Sequence, residues 1–427
     1  MLTTGLLTEA QFAELARTGP AVLGMSTLRT GLRGHRLLLL KALLIRVRRE
    51  HDLVDPAVLD RFENAWRLLE RAERARPVVA REVLDYPTTG AWLAAALGAE
   101  GGAELDHRLG RLESIAVTAA LRAGCPLDLT AVAPGGTLSL TGVGRCHIGA
   151  ELVRIRSHGR VVRIVPEGAR ATRGLLLARP GRGGLTGLGP GWAALRTLPG
   201  TVALLDDLDP YRVPPGGVGA PPRAAADRAA VDSDAWHERW RVAHRLLHRI
   251  DPVRAGEVRR SVRAVVPLAA AEGPGAVPMS ATLRAAPGAV LASLPVSPRA
   301  MAETLVHEVH HSKLAALHEL VPLHRRGRAS VHRVGWRTDP RPIAGVYQGV
   351  YAHLALTDLW RRAIVADGAP RAWRTRAEHR FERFHIQVGG ALEILLESDE
   401  LTIAGREFAR HMQRHHASLG RVRGPLG

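Results

Sequence analysis

Through most of residues 7–123, apolar positions recur every three or four residues, the spacing of amphipathic helices. LRTGLRGHRLLLLKALLIRVRREH (28–51) and AVLDRFENAWRLLERAERARPVVAREVL (57–84) carry the pattern, with Trp66, Leu68 and Leu69 as core positions. A further helix is predicted through LDHRLGRLESIAVTAALRAG (105–124). From about residue 126 the period shortens to two. LDLTAVAPGGTLSLTGVG, ELVRIRSHGRVVRIVPEG and RGLLLARP alternate like strands with Gly and Pro at the turns, and His158-Gly159 reads as a hairpin. TVALLDDLDPYR (201–212) reads as a strand entering an acidic turn at Asp206, Asp207 and Asp209, expected to be exposed rather than a cation site.

VPPGGVGAPPRAAADR (213–228) is the clearest linker candidate. DAWHERWRVAHRLLHRI then predicts a helix with a core stripe of Trp236, Trp240, Leu247 and Ile250. SVRAVVPLA and GAVLASLPV are short strands, the second expected as the edge strand that receives extended peptide. The fold class is therefore α+β: a helical N-terminal region (1–125), a β-rich region (126–212), the linker, and a C-terminal helical region (229–427).

That last region holds the densest candidate chemistry, LVHEVHHSKLAALHELVPL (305–323). Ser297 and Pro298 supply an N-cap and a first-turn proline, and Pro322 ends the helix. His307 and His311 are four apart, so they project from one face and can share a metal ion. With Glu308 they spell H-E-x-x-H, the pattern of zinc hydrolases, in which the glutamate is the general base; iron can be held the same way. GRGGLTGLGPG (181–191) lacks the spacing and the Lys-Ser/Thr ending of a phosphate loop and reads as a turn.

A catalytic site needs a third ligand. His353, on a helix starting near Pro342, is one candidate, with Gly349 a turn earlier expected to admit a close helix–helix approach. Glu378, Glu382 and His385, on a later helix, are the others; a glutamate from there would complete a two-His, one-Glu zinc site. His318 lies too far along the motif helix to share the ion. Arg337 and Arg341, in GWRTDPRPIAG, are candidate carboxylate clamps.

Composition adds bounds rather than chemistry. The net charge is +18, but all of the 59 basic residues except Lys41 and Lys313 are arginines, scattered with few aromatics between them. That is the signature of compositional bias, so no nucleic-acid partner is expected, and an acidic peptide suits the surface equally well. The run LLLLKALLI (37–45) is too short to span a bilayer, and MLTTGLLTEAQ shows no signal peptide. Cys125 and Cys146 cannot build a disulfide scaffold, so a reducing cytoplasm and no membrane are expected.

The chain resembles the HExxH-motif proteins of ribosomally synthesised peptide natural-product pathways, viewed as α-ketoglutarate-dependent peptide β-hydroxylases. The family signature runs LVHE-x-x-H-x-KL-x-x-L-x-x-LVPL, W-R-x-D-P-R-P and G-V/A-Y-A-H-L. This chain reads LVHEVHHSKLAALHELVPL and GWRTDPRPIAGVYQGVYAHLAL. The match is specific over residues 287–360 and looser elsewhere, DLDPYR (207–212) and the helix near Trp236 included. The resemblance implies Fe(II), α-ketoglutarate and O2 rather than zinc and water, with hydroxylation at a β-carbon of a precursor peptide. It maps His307 and His311 onto the motif histidines, His353 onto the downstream histidine, and Arg337 and Arg341 onto the family's arginines, either of which is a candidate for the co-substrate carboxylate. Glu308 then orients a ligand or the peptide, and Lys313, pointing off the histidine face, takes a supporting role. A three-histidine site departs from the familiar two-His, one-carboxylate iron triad.

Overall fold

The computed structural model describes residues 7–19, 21–168, 174–179, 184–189, 191–270, 278–325, 330–367 and 369–420. The start of the N-terminal stretch read for a signal peptide (1–6) and parts of the glycine-rich turn (181–183 and 190) lie outside these residues. The chain is 57% helical and 16% strand, so helices build the frame and sheets occupy its centre.

The N-terminal helices are α1 (Glu9–Ala16), α2 (Val22–Arg49), α3 (Pro56–Ala75), α4 (Pro77–Leu84), α5 (Pro87–Gly98), α6 (Gly102–Leu109) and α7 (Arg111–Ala123). The continuous pattern over 57–84 divides into α3 and α4 because Pro77 has no amide to donate and opens a new helix instead. The 105–124 pattern likewise divides at Gly110.

Among the described residues ten strands follow: β1 (Leu127–Val132), β2 (Thr137–Leu140), β3 (Gly144–His147), β4 (Leu152–His158), β5 (Val161–Pro166), β6 (Leu175–Ala178), β7 (Thr186–Leu188), β8 (Trp192–Ala194), β9 (Arg196–Thr197) and β10 (Leu204–Leu205). An antiparallel sheet has the order β1-β4-β5-β6-β7, and a smaller one β2-β3-β8. The hairpin expected at His158-Gly159 joins β4 to β5, with Gly159 at φ 55°, where a side chain is strained.

The rest comprises α8 (Ser233–Ile250), α9 (Pro252–Ser261), β11 (Ala264–Pro267), β12 (Ser280–Ala281), β13 (Ala289–Ala292), α10 (Pro298–Leu320), β14 (Val331–His332), β15 (Arg341–Pro342), α11 (Ile343–Val365), α12 (Arg371–Glu397) and α13 (Ile403–Ser418). A mixed sheet in the order β12-β13-β11-β10-β9 has β10, β11 and β13 parallel. GAVLASLPV supplies β13, but β13 is central and buried; the edge beside α10 is β12. Parallel pairing explains why β11 and β13 read as short apolar runs without alternation.

The hydrophobic cores cross the boundaries expected at 125 and 212. One core runs from Leu40 to Leu177 and joins helices α2–α7 to the strands. A second gathers Leu7–Leu28 with residues from Leu198 to Leu419, so the chain's start belongs with α10 and α11. Tyr351 donates to the Leu15 carbonyl (2.7 Å), fixing α1 against α11. The 213–228 stretch is not a free connector: Val218 bridges to Arg223, Ala225 to Leu268, and Val218 belongs to a small third core with Val266 and Leu291.

The acidic turn is buried rather than exposed. Asp207 is gripped by Arg196 (2.9 Å) and Arg228 (2.7 Å), and Asp209 by Arg111 (2.5 Å). Asp206 accepts from the Tyr86 hydroxyl (2.8 Å) and from the Leu208 and Asp209 amides, and burial pushes its carboxyl up to about 6. Partners from distant parts of the chain turn an apparent surface loop into a junction between the N-terminal helices and the mixed sheet.

Candidate metal centre

Helix α10 begins as its caps predict: Ser297 accepts from the Ala300 amide (3.1 Å), and Pro298 opens the first turn. It packs against α2, α8 and α11 and carries β12 and β13 along one flank. His307, Glu308 and His311 line an open cleft of about 670 Å3. Ser280 and Thr282 from the β12 edge, Trp336 and Arg337 from the loop between β14 and β15, Arg341 from β15, and Gln348 and His353 from α11 line the same cleft.

The two motif histidines meet: their Nε2 atoms are 2.9 Å apart. One ion with metal–nitrogen bonds of about 2.1 Å spans such a pair without moving the helix. On His311, Nδ1 faces Gln348 Oε1 at 3.1 Å; on His353, Nδ1 faces the Gly349 carbonyl at 2.8 Å. Donation to an oxygen at Nδ1 leaves Nε2 as the free lone pair, the arrangement found in metal-bound histidines. Among the described residues, His307 Nδ1 is buried without a hydrogen-bond partner. Burial, reinforced by His311, His353 and His310, holds His307 well below the usual imidazole range, and burial brings His353 down to about 4. Neutral imidazoles are the form that binds metals.

His353 packs edge-on against His307, with ring centroids 5.1 Å apart. It is held between Trp336 (4.6 Å) and Phe384 (5.1 Å), both nearly parallel to it. Gly349 serves that stack rather than a helix–helix approach: a Cβ there would lie 3.0 Å from the Trp336 indole. Among the described residues, no three His, Cys, Asp or Glu side chains are drawn together tightly enough to form a ready metal-binding group. Two nitrogens are thus poised, with His353 adjacent.

Glu378, Glu382 and His385 lie on α12 and do not line the cleft. Glu382 is exposed, and His385 stacks on His416 (3.9 Å). What α12 contributes is Phe384 against His353, and Gln387, which donates to the Gly335 carbonyl (2.7 Å). His318 reaches the far end of the cleft, stacks on His324 (4.2 Å) and accepts from the Leu323 amide.

Glu308 is fully engaged. Ser280 donates to one carboxylate oxygen (2.7 Å) and Thr282 to the other (2.6 Å), tying α10 to the β12 edge. Arg337 and Arg341 stand on the rim, about half exposed, and both pair with Asp339 between them (2.9 and 3.3 Å). Those contacts hold the Asp339 carboxyl below its usual range, chiefly through the Arg337 hydrogen bond. Two guanidiniums sharing one carboxylate keep a net positive charge at the mouth of the cleft.

Behind the motif, α10 is anchored by a buried charge network that the sequence did not disclose. Lys313 donates to Glu257 (2.6 Å) and to the Gly19 carbonyl (3.1 Å), away from the histidines as its helical position predicts. Arg254 pairs with Asp358 (2.6 Å) and approaches His310 Nε2 (3.4 Å), while His310 Nδ1 faces the Val306 carbonyl (2.7 Å). Glu303, one turn before His307, is held by Arg380 and the Trp360 indole. No helix among the described residues is long and apolar enough to cross a membrane.

No family model matches this chain, and no curated protein matches it.

Proposed function

We propose that the protein is an Fe(II)- and α-ketoglutarate-dependent oxygenase that hydroxylates a β-carbon in a ribosomally synthesised precursor peptide. The observation that carries this reading is the treatment of Glu308. Both of its oxygens are taken by Ser280 and Thr282, beside two histidine nitrogens that face one another across 2.9 Å. A glutamate so engaged suits a positioning task better than that of a general base. The motif block at 305–323 and 335–356, with its resemblance to the peptide β-hydroxylases, supports the same assignment.

In this reading His307 and His311 hold the iron, and His353, turned by Gly349 and clamped by Trp336 and Phe384, is the third ligand. Bound iron supplies the activation of O2 toward an unactivated C–H bond. The chemistry balances as one oxygen atom entering the peptide C–H bond and the other entering succinate, with CO2 released from α-ketoglutarate. Arg337 or Arg341 takes the distal carboxylate of the co-substrate by exchanging its contact with Asp339. The β12 edge, running along the cleft and fixed to Glu308, offers backbone groups to an extended peptide.

Anaerobically purified protein given Fe(II), α-ketoglutarate, O2 and its precursor is expected to yield a peptide 16 Da heavier (one oxygen atom) with stoichiometric succinate. Metal-dependent cleavage of the peptide without succinate would reject the proposal. A zinc peptidase is the second reading, and one observation favours it: Glu308 lines the cleft beside an edge strand, where a hydrolytic base would stand.

A further inference from the structure

On the side of α10 away from the histidines, a second cavity of about 350 Å3 lies between α2, the end of α9 and α10. Val309, Ser312, Lys313 and Ala316 form its α10 wall. Arg29, Arg33 and Arg36 enter from α2, Arg260 from the last turn of α9, and Arg263 from the segment joining α9 to β11. The three α2 arginines fall at intervals of four and three residues, which places them on one helical face.

The charges in this cavity do not cancel. Asp85 is occupied by Arg33 (2.5 Å), and Glu82 by Arg122 (2.7 Å) from outside the cavity. Lys313 is already spent on Glu257. Among the described residues, none of Arg29, Arg36, Arg260 and Arg263 has a carboxylate in ion-pair contact. Among the described residues Arg36 donates to the Leu84 and Tyr86 carbonyls alone, and burial lowers its pKa despite the nearby Asp85. Four guanidiniums without an ion-pair partner around one concavity repel one another, an arrangement stabilised by an anion that bridges them. Guanidiniums present forked donors matched to tetrahedral oxyanions, and Ser26 and Ser261 add hydroxyls at the wall.

We propose that this cavity binds a small phosphate-bearing anion of several charges, of the size of a di- or triphosphate group, at a site separate from the metal cleft. Its occupant would join α2 to the back of the motif helix and reinforce the packing that holds His307 and His311 in place. The proposal does not depend on the reaction assigned to the cleft.

The test must separate a built site from the general attraction of a chain with net charge +18. Sodium tripolyphosphate is titrated calorimetrically at physiological salt, with and without a chelator, against the wild-type protein and two double variants. Arg29→Ala/Arg260→Ala removes two exposed cavity arginines. Arg241→Ala/Arg249→Ala removes two arginines of α8 that do not line the cavity. The expected result is a saturable one-to-one isotherm, unchanged by the chelator, whose Kd rises by about tenfold or more in the first variant only. Orthophosphate is expected to bind more weakly than tripolyphosphate. A non-saturating titration, or an equal loss in both variants, would overturn the proposal. Circular dichroism of both variants and melting of the Arg29→Lys/Arg260→Lys form, expected to keep ligand-induced stabilisation, separate misfolding from loss of the site.

Discussion

Replacing Glu308 with Gln puts the two readings of the cleft in direct opposition. The carboxylate accepts hydroxyl hydrogens from Ser280 at 2.7 Å and Thr282 at 2.6 Å, and it is buried. Hydrogen bonds to a charged group contribute about 1.5–3 kcal/mol each, roughly twice a neutral one. Gln keeps one acceptor oxygen, and its amide can donate to the other hydroxyl, so both bonds survive in neutral form. The expected loss is about 1–3 kcal/mol of stability, measured by urea unfolding, with iron still bound at one equivalent. Hydroxylation, followed by mass spectrometry and succinate release, should fall by less than about tenfold, because a general base contributes about 10²–10⁴ only where a proton must be removed. Ser280→Ala/Thr282→Val should reproduce the stability loss and be non-additive with Glu308→Gln, since all three act through one interaction. Complete loss of turnover in a folded, iron-loaded Glu308→Gln protein would refute the reasoning and return Glu308 to acid–base chemistry.

Three other outcomes follow from the geometry. His307→Ala should abolish metal retention after dialysis, while His353→Ala should weaken it by about 10–100-fold; unchanged metal content in His353→Ala would remove it from the ligand set. Asp358→Ala removes the closest partner of buried Arg254, leaving only Asp251 at 3.5 Å among the described residues, and should cost about 3 kcal/mol in chemical unfolding, whereas an effect below about 1 kcal/mol would show that the pair is solvated. The Asp206 carboxyl, raised to about 6 from an ordinary 3.8, binds its proton more tightly folded than unfolded. Its contribution is therefore fully present below about pH 4 and is lost as pH rises through about 6, a span of about 3 kcal/mol at most. Asp206→Asn should flatten that segment of the stability–pH curve, and an unchanged slope would place the titration elsewhere.

Much of the motif helix was legible because its determinants are local. The Ser297 cap, Pro298, the four-residue spacing of His307 and His311 and the turn of Lys313 away from the histidine face all follow from the geometry of a single helix. The division of the chain into helical and strand-rich stretches followed in the same way from period. Breaks inside a continuous pattern, as at Pro77 and Gly110, were blurred because α3–α4 and α6–α7 keep their apolar spacing across the break.

What tertiary structure alone decided is every relation between residues remote in sequence. Ser280 and Thr282 reach Glu308 only because β12 pairs outside β13 and turns its hydroxyls toward α10. The aspartates at 206, 207 and 209 looked exposed because their partners (Tyr86, Arg196, Arg228 and Arg111) are scattered along the chain and assemble only on folding. Glu378 and Glu382 were plausible ligands by type, and packing excluded them by setting Phe384 rather than a carboxylate against His353. By itself the sequence determined which side chains share a helical face, because the backbone period sets it. Which faces meet depends on the packing of the whole chain, and so it emerged only from the fold.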